Sequence, residues 1–332
     1  MTIKDVATKA GVSISTVSKV LNDKGNVSPH TVEKVKKVAK QLNYFPNARA
    51  RSLASRATRS IIFIADFPLD AAFVNPHIFE IIRGLERTLN TKGFSLVIRH
   101  SNRSDVIELA EAIAMEKSFD AIIFHASVIS KKLASLILKL HIPYIVIGQP
   151  DFDSPLCWVD SNNSLSGEIA ARHLVNKNYL PLVFIAGRSD DMISNHRLLG
   201  VNKELNRNGY KIEKPEIIYT ESTIQSGRSA AKKVLKMKPW PRSAICANNV
   251  IAFGFIEELQ SQNVRVPEDI AVISFDVYPF SLYSTPQITV VNIDMYTLGC
   301  DAGKLILDIL ANPDLQIQSF STKPVLVNGQ SS

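Results

Sequence analysis

Residues Thr2–Asn22 read TIKDVATKAGVSISTVSKVLN, a pattern of two short helices joined by a tight turn. Thr2 is a favoured N-cap, and Ile3, Val6, Ala7 and Ala10 follow at helical spacing. Gly11 stands where a helix ends in the left-handed conformation. Ser13 caps the second helix, which turns Val17, Val20 and Leu21 to one side and Ser15, Thr16, Ser18, Lys19 and Asn22 to the other. A helix that enters a DNA major groove needs such a face. Its side chains must be short enough to let the backbone approach, and several must hydrogen-bond base edges and phosphates. A small structural hairpin has the same pattern, so the flanking sequence decides between the two.

Charge favours DNA. Residues 1–60 hold twelve Lys and Arg against Asp5, Asp23 and Glu33, whereas the rest of the chain holds 26 basic and 28 acidic residues. The whole surplus of +7 therefore lies in the first fifth of the chain, the electrostatic footprint of a nucleic-acid module joined to a near-neutral partner. A basic solvated face would not segregate the charge in this way. With 332 residues, 45% of them hydrophobic, the chain can build cores for two or three domains. It opens on a helix cap rather than a signal segment and has no apolar run of membrane-spanning length, so a cytoplasmic protein is expected. Cys157, Cys246 and Cys300 are widely spaced and read as small buried hydrophobes, without disulfide framework or metal cluster. No cofactor is expected.

Ser28-Pro29 starts a third helix, with Val32, Val35, Val38, Ala39 and Leu42 as its apolar stripe. Asn43-Tyr44-Phe45-Pro46 stops it. The three helices predict a bundle around Val6, Val17, Val20, Leu21, Val35 and Leu42. Residues 47–55, NARARSLAS, read as a further helix too short to be stable alone. It is a plain linker, or a hinge that folds on DNA and drives Leu53 into a base step from the minor groove.

From Ser60 the grammar changes to strand, helix, strand. The first series has strands at Ile61–Ala65, Phe94–Arg99, Ala121–Phe124 and Tyr144–Ile147, and the second at Leu182–Ala186, Glu216–Thr220, Ala244–Ala247 and Ile270–Phe275. Helical patterns between them predict parallel sheets with crossover helices. Two series of similar length imply two lobes with a cleft between. Ser161–Lys177 and Ile288–Asp294 read as the crossings, Thr297–Leu310 as a helix and Ser319–Val327 as one final strand. The expected division is a helix-turn-helix domain at 1–46, a hinge and linker at 47–59, a first lobe of 60–160 with 289–318, and a second lobe of 161–288 with 319–332.

The N-terminal stretch, the segment SPHTVEKVKKVAKQLNYFPNARARSL and pieces of the core resemble the lac repressor (LacI/GalR) family. The core pieces include VDSNNSLSGEIAARHL, IAGRSDDMISNHRLLGV, ANNVIAFGFIEELQSQNVRVPEDIAVISFD and TPQITVVNID. The resemblance implies a small all-α DNA-binding domain and an α/β, two-lobed core like a periplasmic binding protein. It implies base reading by Ile14, Ser15 and Lys19 and backbone contacts from Ser13, Thr16, Ser18, Asn22, Ser28, Thr31 and Tyr44. Leu53 matches the minor-groove wedge and Ala50 its close-packed neighbour. Lys is less usual than Arg at position 19 and lacks the bidentate fork.

In the core, Arg197, Asn248 and Asp276 match polar effector contacts whose chemistry suits neighbouring hydroxyls of a sugar. Each has a plain alternative: Asp276 as a loop cap, Asn248 as the cap of the next helix, Arg197 as a surface residue. Phe67, Phe73 and His77 follow the first strand, Gly148 and Gln149 follow the fourth, and Ser194 precedes Arg197 by one turn; all are candidates to line the cleft. Asn249 and Asn162 stand at positions where the family usually or often has Asp. NPHIFEIIRGLE, IPYIVIGQP and the STPQITVVNID region look similar to maltose or α-glucoside operon repressors.

The function so implied is a dimeric repressor of a pseudo-palindromic operator in double-stranded DNA, controlled by a small effector, most simply a sugar. A purine, a nucleoside or a phosphocarrier protein as corepressor stays open, and so does a sugar-binding transport protein. A chain ending Val327-Asn328-Gly329-Gln330-Ser331-Ser332 has no leucine heptad tail, which predicts a dimer without higher assembly. An enzyme is not expected, since no G-x-G-x-x-G, P-loop or G-x-S-x-G motif occurs and the histidines lack metal spacing.

Overall fold

The computed structural model describes residues 1–21, 27–44, 58–67, 77–210, 216–277 and 280–332. Its contacts divide them into two compact units, one of residues 1–59 with 118–120 and one of 60–117 with 121–332. Asn22, Phe73 and the expected hinge with Ala50 and Leu53 lie outside the described residues.

In the first unit, α1 (Ile3–Ala10), α2 (Ile14–Leu21) and α3 (Pro29–Gln41) start and stop on local chemistry. The Thr2 amide donates to Asp5 Oδ2 at 2.7 Å, and Gly11 closes α1 at φ +65°. Ser13 Oγ accepts from the Thr16 amide at 3.1 Å, and Ser28 Oγ accepts from the Thr31 amide at 3.3 Å with Pro29 at the first helical position. Val6, Val17, Val20 and Val35 are buried as expected, together with Ala7, Ala10, Val38 and Ala39. Leu21 and Leu42 only flank this core. Alanines at the helix contacts let three short helices approach closely enough to share it.

Among the described residues the second unit holds two six-stranded sheets. The first runs in the order β11 (Gln318–Thr322), β5 (Trp158–Ser161), β4 (Tyr144–Ile147), β3 (Ala121–His125), β1 (Ser60–Ala65), β2 (Ser95–His100). The second runs β12 (Val325–Val327), β10 (Thr289–Asn292), β9 (Ala271–Phe275), β8 (Ser243–Cys246), β6 (Leu182–Ala186), β7 (Ile217–Tyr219). All pairings are parallel except β10 with β12. Crossover helices cover the sheets: α4 (His77–Asn90), α5 (Val106–Glu116) and α6 (Lys131–Leu140) in the first lobe, α7 (Asn163–Asn176), α8 (Met192–Arg207), α9 (Ile224–Leu235) and α10 (Asn249–Ser261) in the second. Helix α11 (Met295–Ala311) returns to the first lobe and packs on α4, β4 and β5. Central strands such as β6 and β9 are buried throughout, which is why β6 reads as an unbroken apolar run and β9 as one interrupted only by Ser274.

Three features of the expected division are corrected. Trp158–Ser161 is a strand of the first sheet that the apolar pattern did not reveal, because four residues with a central Asp160 carry too little signal. Thr289–Asn292, expected inside a crossing and assigned to the first lobe, is β10 of the second sheet. Ser319–Val327 is not one strand: β11 belongs to the first sheet and β12 to the second, so the chain crosses a third time near Lys323-Pro324. A proline there removes a ladder donor and interrupts the run.

Candidate functional site

Two helix N-termini of the first unit carry most of its described candidate contact residues. Ile14, Ser15 and Lys19 are exposed on α2, Ile14 to 45%. An isoleucine left in water at the start of a helix makes sense as an apolar contact for a thymine methyl group. Ser13 Oγ lies 2.7 Å from Ser15 Oγ and 2.8 Å from Thr16 Oγ1, so three hydroxyls cluster where the amides of α2 emerge. Ser28 Oγ and Thr31 Oγ1 form a second such pair at 2.9 Å on α3. Helix N-termini dressed with hydroxyls favour phosphate oxygens. Ser18 and Thr16 are half-buried, and Tyr44 packs at the edge of the three-helix core.

In the second unit a cleft of about 620 Å³ is lined from both lobes. Its floor is a cluster around Arg197 and Asp276, each 3% exposed. Arg197 projects from α8 and donates through Nε to Asn163 Oδ1 at 3.3 Å and through Nη1 to the Ala247 carbonyl. Its Nη2 lies 3.5 Å from Asp276 Oδ2, and its guanidinium stacks 4.2 Å over the Phe275 ring. The surface role for Arg197 is thereby excluded. The crossing of α7 and α8 sets this geometry: a Cβ on Gly200 would stand 1.8 Å from the Ser164 carbonyl, and one on Gly167 1.9 Å from the Arg197 carbonyl. The two backbones touch, and Asn163 meets Arg197 as a result.

Asp276 follows β9 at φ +69°, a left-handed conformation that Asp tolerates and that loops at functional sites often hold. Its Oδ1 is buried and, among the described residues, has no hydrogen-bond partner. Asn249, at a position where the resemblance leads one to expect Asp, donates through Nδ2 to the Asp276 main-chain oxygen at 3.3 Å. An ionised carboxylate there would repel that oxygen, which accounts for the amide. Asn162 caps α7 through the Leu165 amide at 2.8 Å. Asn248 lines the cleft and also caps α10, accepting from the Ile251 amide at 2.9 Å while its Nδ2 donates to Ser222 Oγ.

The first lobe supplies Phe67, Gln149 and groups the sequence did not single out. Phe67 packs against His100 with ring centroids 5.4 Å apart. The Gln149 amide donates to Asp160 Oδ2 at 2.9 Å, and the Ser161 amide donates to Asp160 Oδ1 at 2.7 Å. Burial raises the Asp160 carboxyl above its ordinary value, against those amides and nearby His196, which pull it down. His125 accepts the Ser127 amide at Nδ1 (3.2 Å), leaving Nε2 as the protonated nitrogen, and burial pushes its pKa down to about 4. Ser194, expected in the cleft, does not line it: its Oγ accepts from the Gly187 amide at 3.0 Å and ties the start of α8 to the end of β6. His77, a candidate to line the cleft, does line it, whereas Asp160, His125 and His196 were legible only as scattered residues, since lobe pairing brings them together.

Comparison with known proteins agrees with this architecture. Residues 2–47 match the model of bacterial regulatory proteins, lacI family, and residues 171–332 match the periplasmic binding protein-like domain. The chain is 31% identical over 336 residues to the HTH-type transcriptional regulator RegA of Clostridium saccharobutylicum, covering 99% of this chain and 98% of that one. It is 28% identical over 328 residues to the ribose operon repressor of Escherichia coli (strain K12), covering 98% of each. It is also 28% identical over 330 residues to the HTH-type transcriptional repressor PurR of Photobacterium profundum, covering 98% and 97%. Among solved structures, the lac repressor dimer bound to operator and the anti-inducer ONPF superposes with a TM-score of 0.87 at 23% identity, over 100% of this chain and 98% of that one. A transcriptional regulator CelR–cellobiose complex superposes at 0.76 and 24% identity, over the whole of both chains.

Proposed function

The chain belongs to the lacI family of bacterial regulatory proteins, as a DNA-binding transcriptional repressor with a ligand-binding core, and we propose that an uncharged sugar in the cleft controls its grip on a pseudo-palindromic operator. The observation that carries the sugar reading is the buried Asp276 carboxylate, with one oxygen unpartnered among the described residues and the Arg197 guanidinium beside it. An acceptor next to a fork of donors suits two neighbouring hydroxyls. Among the described lining residues six carboxylates face three guanidinium groups, which disfavours an anionic ligand. Phe67 is the one phenyl or indole ring among them, so a purine would find little to stack on.

The DNA contacts rest on the family resemblance of the N-terminal sequence, with Asn22, Ala50 and Leu53 outside the described residues. Ile14, Ser15 and Lys19 read base edges, while Ser13, Thr16, Ser18, Asn22, Ser28, Thr31 and Tyr44 hold the backbone. Leu53 wedges into the minor groove beside Ala50. Two copies supply two half-sites. Val97 and Ile98 on the edge strand β2, 39% and 45% exposed, support a homodimer, because apolar side chains at a sheet edge invite cover by a second chain.

The test is fluorescence-anisotropy binding to the DNA upstream of the protein's own gene at fixed salt, with and without maltose, ribose, cellobiose and guanine. Maltose comes first because of NPHIFEIIRGLE and IPYIVIGQP. Competitor-resistant binding weakened by one sugar is the expected result. Response to guanine alone would replace the sugar by a purine, and sequence-independent binding would remove the operator reading.

A further inference from the structure

Asp276 is approached from both lobes. Its Oδ2 lies 3.5 Å from Arg197 Nη2 of its own lobe and 3.6 Å from Nε2 of His77, the first residue of α4 in the opposite lobe. The imidazole is one-quarter exposed and the carboxylate 4% exposed, so the pair stands in the cleft rather than at the surface. At 3.6 Å the imidazole is just outside hydrogen-bond contact. A small closure of the lobes would bring it in. The other oxygen, Oδ1, is buried and faces no donor among the described residues.

We propose that His77 is a positioning residue that latches the two lobes through Asp276, and that an effector hydroxyl on Oδ1 sets the latch. This rests on the cleft being the effector site. A carboxylate offers about four lone-pair positions. Arg197 pairs with Oδ2 across 3.5 Å, His77 donates to the same oxygen when the lobes close, and the effector donates to the empty one. The ligand and the opposite lobe thus converge on one buried carboxylate. A ligand that binds the closed arrangement better than the open one shifts the protein toward closure by its difference in affinity. The same geometry selects the ligand class. A hydroxyl can donate to Oδ1 and accept from Arg197, whereas a carboxylate or phosphate would set a second negative charge against Asp276.

Of the other cleft imidazoles, His196 on α8 lies near a carboxylate of the opposite lobe, Asp160, without the 3.6 Å approach that His77 makes to Asp276. His125 is held by Ser127 of its own lobe, with its Nδ1 2.9 Å from the Ser127 hydroxyl. The chain segments that join the lobes, residues 161–163, 292–294 and 322–325, would act as the hinges. Side-chain contact between His77 and Asp276 adds a tie that the backbone does not supply.

Two readouts on the full-length protein test this. The first needs no effector: hydrogen exchange of peptides covering the three joining segments, in the parent protein, His77→Ala and His77→Gln. Faster exchange in His77→Ala, with recovery in His77→Gln whose amide can donate over a similar reach, is expected. Equal exchange in all three overturns the latch. The second is operator release by maltose, ribose and cellobiose. The sugar that releases the parent should need about tenfold more to release His77→Ala, the scale of a lost hydrogen bond to a charged group. Unchanged half-release in His77→Ala overturns the coupling. If none of these sugars releases the parent protein, the sugar reading fails, and the exchange measurement still decides the latch.

Discussion

Lys19 and His125 show how single side chains carry testable consequences. Lys19 is exposed on α2 one turn beyond Ile14 and Ser15. A point charge on guanine discriminates one base pair, and its loss should relax preference there by about 1–3 kcal/mol. Anisotropy on half-site variants with Lys19→Ala checks this, and a uniform loss on all sequences would reduce Lys19 to a phosphate contact. His125 is half-buried, and the loss of solvent around it lowers its pKa to about 4. In the unfolded chain a histidine titrates near 6.5, so below that pH the unfolded state binds a proton that the folded cleft refuses. Stability is therefore complete above about pH 6.5 and is lost as pH falls from there toward about 4. His125→Asn keeps an acceptor near the Ser127 amide and should flatten this limb, by roughly 1 kcal/mol near pH 5.5. Urea midpoints between about pH 7 and about pH 5 decide it, and parallel profiles for the two proteins would count against a neutral His125 in the folded cleft.

Between helices, the controlling event is the contact of α7 with α8. Gly200 lies against the Ser164 carbonyl so closely that no methyl group fits. The same crossing aligns Glu168 and Glu204, each 6% exposed, with Arg172, Lys203 and Arg207, which pair with them at 2.7–3.1 Å. Gly200→Ala should push the helices apart, cost about 1–3 kcal/mol of core stability and loosen the Arg197–Asn163 contact. Denaturant midpoints give the first effect and effector titration the second. A change below roughly 0.5 kcal/mol, within the range of ordinary surface substitutions, would mean the crossing relaxes without cost.

For the molecule as a whole, the distribution of charge predicts two kinds of binding. The surplus of nine positive charges in residues 1–60 should make operator binding fall steeply with salt. If about 6–10 phosphates are neutralised, the loss is roughly a thousandfold or more between about 50 and 200 mM salt. Effector binding in the near-neutral core should change little over that range. Anisotropy against salt for the first and calorimetry for the second make the comparison, and a shallow slope for the operator would contradict a phosphate-gripping first unit.

The chain by itself determined everything that depends on near neighbours. Thr2, Ser13 and Ser28 as caps, Gly11 as a helix stop and the apolar runs of β6 and β9 are read within a few residues, because caps and strand burial act over that distance. That Arg197 and Asp276 line the cleft was legible through the family resemblance. Only the tertiary structure decided which sheet β5, β10, β11 and β12 join, since a short strand has no partner until distant segments meet it. It likewise decided that Ser194 ties a loop instead of lining the cleft. It also brought His77 from one lobe to Asp276 of the other, across 199 residues of chain. No local pattern encodes such a meeting, because it arises from the packing of two sheets that the sequence specifies separately.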